Sequence, residues 1–97
     1  MADAADLLDA LDLPAKVRLL TGASFFGLQG DPDLGLAPMV LSDGPTGVKG
    51  LSGTAPASLL PNASTLASTW DEALLQQAGE LLADEAVRQG VDVVLGP

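Results

Sequence analysis

Thr69 to Leu95 constrains the fold of this chain more than any other stretch. Leu74, Leu75, Ala78, Leu81, Leu82 and Ala86 recur at helical spacing, and Gly90 stands where a left-handed residue ends a helix. Thr69-Trp70-Asp71-Glu72 reads as a capping box at its start, with the Thr69 hydroxyl accepting from the Glu72 amide. Val91 to Leu95 follows directly, apolar except for Asp92, and reads as a buried strand. Upstream, Ala37 to Leu41 is another apolar run, with Met39-Val40-Leu41 as its strand, and Ser64 to Ser68 reads as a second short strand. Strand, helix and strand with short joins make a β-α-β unit. That unit demands a parallel sheet and places the chain in the α/β class.

The first strand stops at Asp43, a Gly44-Pro45 turn follows, and a cation stands at Lys49. A carboxylate at the C-terminal end of a parallel strand points into the mouth of an α/β fold, where ligands are held. Ionised, it can accept charge-assisted hydrogen bonds from two neighbouring hydroxyls. The competing reading is a turn aspartate bonded to its own backbone. Lys49 either donates to the same ligand and steadies the carboxylate, or is an exposed lysine of little energetic weight. Gly44, Pro45 and Gly47 serve the backbone in both cases. The glycines from 44 to 53 match neither phosphate-binding pattern, so no nucleotide or other cofactor is indicated.

Composition removes several classes of function. The 97 residues carry 13 acidic and 4 basic side chains, a net charge of −9, with Lys16, Arg18, Lys49 and Arg88 scattered. Nucleic acid and anionic membrane both need clustered cations, so neither is a partner. No cysteine and no histidine are present. That leaves no disulfide, no thiol chemistry, no Ser-His-Asp set and none of the usual zinc ligands. Asp31-Pro32-Asp33-Leu34-Gly35 lacks the calcium-loop spacing and reads as a solvated turn. Met1-Ala2-Asp3 opens without a basic, then apolar, leader, and no apolar run reaches the roughly 20 residues that span a bilayer. A cytoplasmic location is the expectation, and on it Asn62-Ala63-Ser64 is not a used glycosylation site.

The remaining segments frame the unit. Residues 3 to 11 read as a helix presenting Leu7, Leu8 and Leu11. Asp12 caps a second helix, Pro14 sits in its first turn, and Gly22 is its expected stop. Residues 22 to 37 read as a loop in which Phe25 and Phe26 are pinned into a neighbouring core, and residues 50 to 61 read as another. Trp70 reads as a packing anchor, and Asp84 and Glu85 as the wet face of the long helix. The resulting division is a helical extension and loop at 1–36, followed by strands and helix at 37–97.

Four segments, in order, resemble glycoside hydrolase family 3. They are Leu13 to Gly22, the Leu41-Ser42-Asp43-Gly44-Pro45-Thr46-Gly47-Val48 motif, Pro61 to Asp71, and Gly90 to Pro97. The resemblance implies a (β/α)8 barrel of about 250 residues, of which this chain makes about the first third, behind a short helical extension. It implies a retaining β-glucosidase in which Asp43 binds hydroxyls of the sugar in the −1 subsite. Lys49 stands where the family often has arginine, which keeps the charge but loses the planar fork. Retaining hydrolysis needs two carboxylates about 5 Å apart. The family's nucleophile and acid/base lie in later segments, so no catalytic residue is assigned here, Asp71 included. The chain alone is therefore expected to be inactive and to associate through its exposed edge and helix face. In the whole protein the partners are a β-glucoside or oligosaccharide, the rest of the barrel and a following domain. The alternatives are a non-catalytic remnant that binds sugar or protein and, within the class, a β-xylosidase.

Overall fold

The computed structural model describes residues 3–50 and 56–96. The chain divides into two compact units, Met1–Met39 and Val40–Pro97.

In the first unit, helix α1 spans Ala4–Ala10 and α2 spans Leu13–Leu20. Asp12 is extended, and its carboxylate accepts from the Ala15 N–H at 2.8 Å, so the cap forms as the sequence predicts. The end of α2 differs. Thr21 closes it by donating its hydroxyl to the Val17 carbonyl at 2.8 Å and its N–H to the Arg18 carbonyl at 3.1 Å. With those carbonyls satisfied no left-handed glycine is needed. Gly22 instead opens strand β1, Gly22–Ser24, which pairs antiparallel with β2, Gly27–Leu28. The expected loop is thus partly a tight hairpin. Phe25 sits at its tip, 94% exposed, with its ring edge-on to Phe26 at 5.0 Å. A two-residue turn projects its side chains outward, so within this unit the rings meet each other and Phe25 enters no core.

Asp31 also departs from expectation. It is buried, and its carboxylate accepts from the Asp33 and Leu34 N–H groups and from Arg18 Nη2 at 3.0 Å. It caps a 3-10 turn, Pro32–Leu34, and its burial follows from supplying both carboxylate oxygens with donors.

Strand β3, Met39–Asp43, runs on into the second unit. It pairs in parallel with β4, Val93–Leu95, with Leu41 opposite Val93, Ser42 opposite Val94 and Asp43 opposite Leu95. Asp92 fixes this register. Its N–H donates to the Val40 carbonyl at 2.8 Å, and its carboxylate accepts from the Val40 N–H at 2.7 Å. Helix α4, Glu72–Gln89, ends at Gly90, φ +66°, and the Val91 N–H reaches back to the Ala86 carbonyl at 2.9 Å, as a glycine stop requires. Val48, Ala86 and Val91 are buried together, with Val40, Leu82 and Val94 packed around them.

Residues 64 to 68 are helical, not extended. Helix α3, Ala63–Ala67, is capped by Asn62, whose side chain accepts from the Thr65 N–H at 2.9 Å. The Ser68 and Thr69 hydroxyls cover carbonyls at its other end, donating to Thr65 and Leu66. Local polar side chains thus satisfy both ends of a one-turn helix, which a short apolar pattern does not reveal. The capping box is displaced in turn. Asp71 is the cap, accepting from the Leu74 N–H at 3.0 Å, and the Thr69 hydroxyl accepts from the Asp71 N–H. Between them Trp70 takes φ +54° and is 92% exposed, so it anchors nothing among the described residues.

A left-handed tryptophan stores on the order of 1 kcal/mol of strain, and this indole has little packing to lose. Trp70→Gly is expected to raise the thermal midpoint of the chain by a few degrees in a calorimetric or circular-dichroism melt. A clear drop would show that the indole is held by packing.

Candidate functional site

The mouth of the β3–β4 pair is built by one turn and one buried valine. Ser42 faces inward, fully buried, which turns the next side chain, Asp43, outward to solvent. After Asp43 the chain reverses through Gly44–Gly47, where the Gly47 N–H donates to the Gly44 carbonyl at 3.2 Å. Val48 then enters the core, and its burial draws the chain back beside the strand. The Lys49 N–H donates to the Asp43 carbonyl at 3.1 Å, and the Gly50 N–H to Ser42 Oγ at 2.9 Å. Ser42 also donates its hydroxyl to the Asp43 carbonyl at 2.8 Å.

The two predicted site residues therefore sit on adjoining backbone, one at the strand end and one at the end of the returning loop. Both side chains are exposed. Among the described residues the ion pairs are Arg18–Asp31 and Arg88–Glu85, and none joins Asp43 to Lys49. No described residue donates to the Asp43 carboxylate either. Pro45, two residues on, has no N–H to offer it, which removes the usual partner of a turn aspartate. Lys49 borders a concavity of about 230 Å3 formed with residues 46–48 and 57–59, and Asp43 lies outside that lining.

Ser42 and Glu85 are the residues that sequence reasoning passed over. Glu85, read as solvated, is 2% exposed, and its Oε1 accepts from the Ser58 N–H at 2.7 Å. Its position carried a signal. Residues 78, 81, 82, 85 and 86 are one helical stripe, so Glu85 falls on the apolar face. The Ser58 backbone N–H and hydroxyl hold its carboxyl below the usual glutamate value of 4.5, against the opposing effect of burial, with lesser help from Arg88 and the Val48 backbone.

The β3–β4 pair, with an exposed carboxylate at its C-terminal end, is the arrangement by which (β/α)8 enzymes hold ligands at the strand mouths. Comparison with known proteins carries this further. No family model matches the chain. A putative β-glucosidase of Schizosaccharomyces pombe is 40% identical over 97 residues, which is 98% of this chain and 12% of that protein. β-Glucosidase B of Emericella nidulans is 40% identical over 93 residues, 94% of this chain and 11% of its own length. The crystal structure of Kluyveromyces marxianus β-glucosidase in complex with glucose superposes with a TM-score of 0.90 at 35% identity, over 100% of this chain and 12% of that one. The family 3 β-glucosidase of Bifidobacterium adolescentis gives 0.82 at 36% identity, over 93% of this chain and 13% of its own. The chain is thus a homologue of family 3 β-glucosidases, and it spans about 12% of the length of the relatives it matches.

The depressed value of Glu85 has a defined consequence. A carboxylate whose folded value lies below its unfolded value contributes stability above the unfolded value, and loses it as pH falls through the folded one. In urea titrations, Glu85→Gln should therefore lower the midpoint of unfolding most near neutral pH, and the gap to the parent should close as acidification protonates the Glu85 carboxylate. A gap that widens on acidification would contradict the assignment.

Proposed function

We propose that this chain supplies part of the sugar-binding mouth of a retaining β-glucosidase. The observation that carries the reading is the coincidence of two facts. The whole segment is alike, in sequence and backbone, to β-glucosidases, and its strand β3 delivers an exposed carboxylate, to which no described residue donates, where such folds hold ligands. Asp43 accepts hydrogen bonds from two hydroxyls of the terminal glucosyl residue, each strengthened by the negative charge. Lys49 donates to the same sugar as a point charge. Neither group forms or breaks the glycosidic bond. Their task is to hold the ring while the paired carboxylates of a retaining mechanism act on the anomeric carbon. Glucose in the Kluyveromyces marxianus structure, and the β-glucosidase names of the relatives, support a glucoside over a xyloside.

The experiment is a segment exchange. The matching segment of the Kluyveromyces marxianus enzyme is replaced by this chain, and hydrolysis of an aryl β-glucoside is followed. The parent chimera should turn over. Asp43→Asn should cost about 100-fold or more in kcat/KM, because a charged acceptor that grips the sugar in the transition state is lost. Lys49→Met should cost less. The isolated chain should show no turnover. Retention of kcat/KM within a factor of about two by Asp43→Asn would overturn the reading.

A further inference from the structure

We infer that Glu85 and Gln89 on helix α4 are positioning residues that set the loop carrying Lys49, an inference that rests on the sugar-binding reading above. Residues 85 and 89 lie one turn apart on one face of the helix. Glu85 Oε1 accepts from the Ser58 N–H at 2.7 Å, and Gln89 Nε2 donates to the Val48 carbonyl at 3.0 Å. The two strands of loop they hold are tied to each other, since the Leu60 N–H donates to the Thr46 carbonyl at 2.8 Å. Gly47, at φ +144°, passes so close to the Ser58 carbonyl that no Cβ fits between them. Lys49 follows Val48 directly, and its N–H is bonded to Asp43. A continuous set of hydrogen bonds and one backbone contact therefore runs from α4 to both sugar-facing residues.

The chemistry of residue 85 favours positioning over stability. Glu85 sits on the apolar stripe of α4, beside the cluster of Val48, Ala86 and Val91. A leucine there would extend the core, whereas a buried carboxylate is costly to desolvate and is repaid only through its hydrogen bonds. The bonds it makes close neither α4 nor the β3–β4 ladder. What they hold is the descending segment 56–60 against residues 46 and 47.

Two readouts test this. The first is amide exchange and 15N–1H spectra of the chain itself, in Glu85→Ala, Glu85→Gln and Gln89→Ala. Both alanine variants should shift the Thr46, Gly47 and Lys49 amides and speed exchange of the Lys49 N–H by about ten-fold or more, while the bonded amides of the β3–β4 ladder keep their protection. Glu85→Gln retains an acceptor for the Ser58 N–H and should restore Lys49 toward the parent. An unchanged Lys49 amide, or equal loss of protection across the β3–β4 ladder, would overturn the inference, the second because it marks a purely structural role. The second readout is the chimera. There Glu85→Ala should raise KM by about five-fold while lowering kcat less, and Glu85→Gln should recover most of it. A Lys49 amide that moves while KM stays fixed would also overturn the inference. If Asp43→Asn leaves the chimera unaffected, the sugar reading fails, and the amide exchange still decides whether α4 sets the loop.

Discussion

The parallel pairing of β3 with β4 is the constraint on which the second unit depends. Parallel strands cannot be joined by a tight turn, so everything between Asp43 and Asp92 must cross over and return. The return is fixed at one point. Asp92 offers Val40 both a carboxylate oxygen and a backbone N–H, which locks Leu41 opposite Val93 and Asp43 opposite Leu95. A slip of one residue would turn buried Ser42 outward and Asp43 inward, so the register that Asp92 sets also decides which side chain reaches solvent at the mouth. The one polar residue in the Val91–Leu95 run is therefore what aims the candidate site.

Strong periodicity made α4 and its Gly90 stop legible, and the apolar runs at 39–41 and 91–95 marked two strands. The unit read with short joins, however, began at residues 64–68, whereas the parallel partner of β4 is β3. Asp12 was readable as a cap because its side chain acts on the next turn of the same helix. The readings that failed share a cause. Residues 64 to 68 form a helix because the Asn62, Ser68 and Thr69 side chains satisfy its ends, and such local bonds compete with the apolar pattern at a scale of one turn. Gly22 lost its role as a stop to the Thr21 hydroxyl in the same way. Asp31 and Glu85 are buried because distant donors reach them, Arg18 in one case and the Ser58 N–H in the other. Charge alone predicts solvent, and only the fold supplies the partner.

The apolar surface of α4 is divided between two tasks. Leu82 and Ala86 face the small cluster around Val48 and Val91. Leu74, Ala78 and Leu81 instead line an apolar groove of about 470 Å3 with Leu60, Pro61 and Leu66. Leu74 and Leu81 remain about 40% exposed, at 41% and 38%. With aliphatic side chains only, the buried cluster gains little from any single residue, so the polar ties at the end of α4 carry much of the geometry that a larger core would impose by packing.

That division bears on how a lysine can serve at the mouth. An arginine brings its own geometry, because the planar guanidinium presents paired donors in a fixed fork. Lysine brings a point charge on a flexible four-carbon stem, so its precision must come from where its backbone is held. Here the Lys49 N–H is bonded to the Asp43 carbonyl, the preceding Val48 is buried, and the Val48 carbonyl is gripped by Gln89. Three restraints on two residues fix the base of the stem while leaving the ammonium in solvent. A loop held this firmly would lose little further entropy on the proposed binding of a sugar, which is the condition under which a single charged donor can contribute to affinity rather than spend its attraction on ordering the chain.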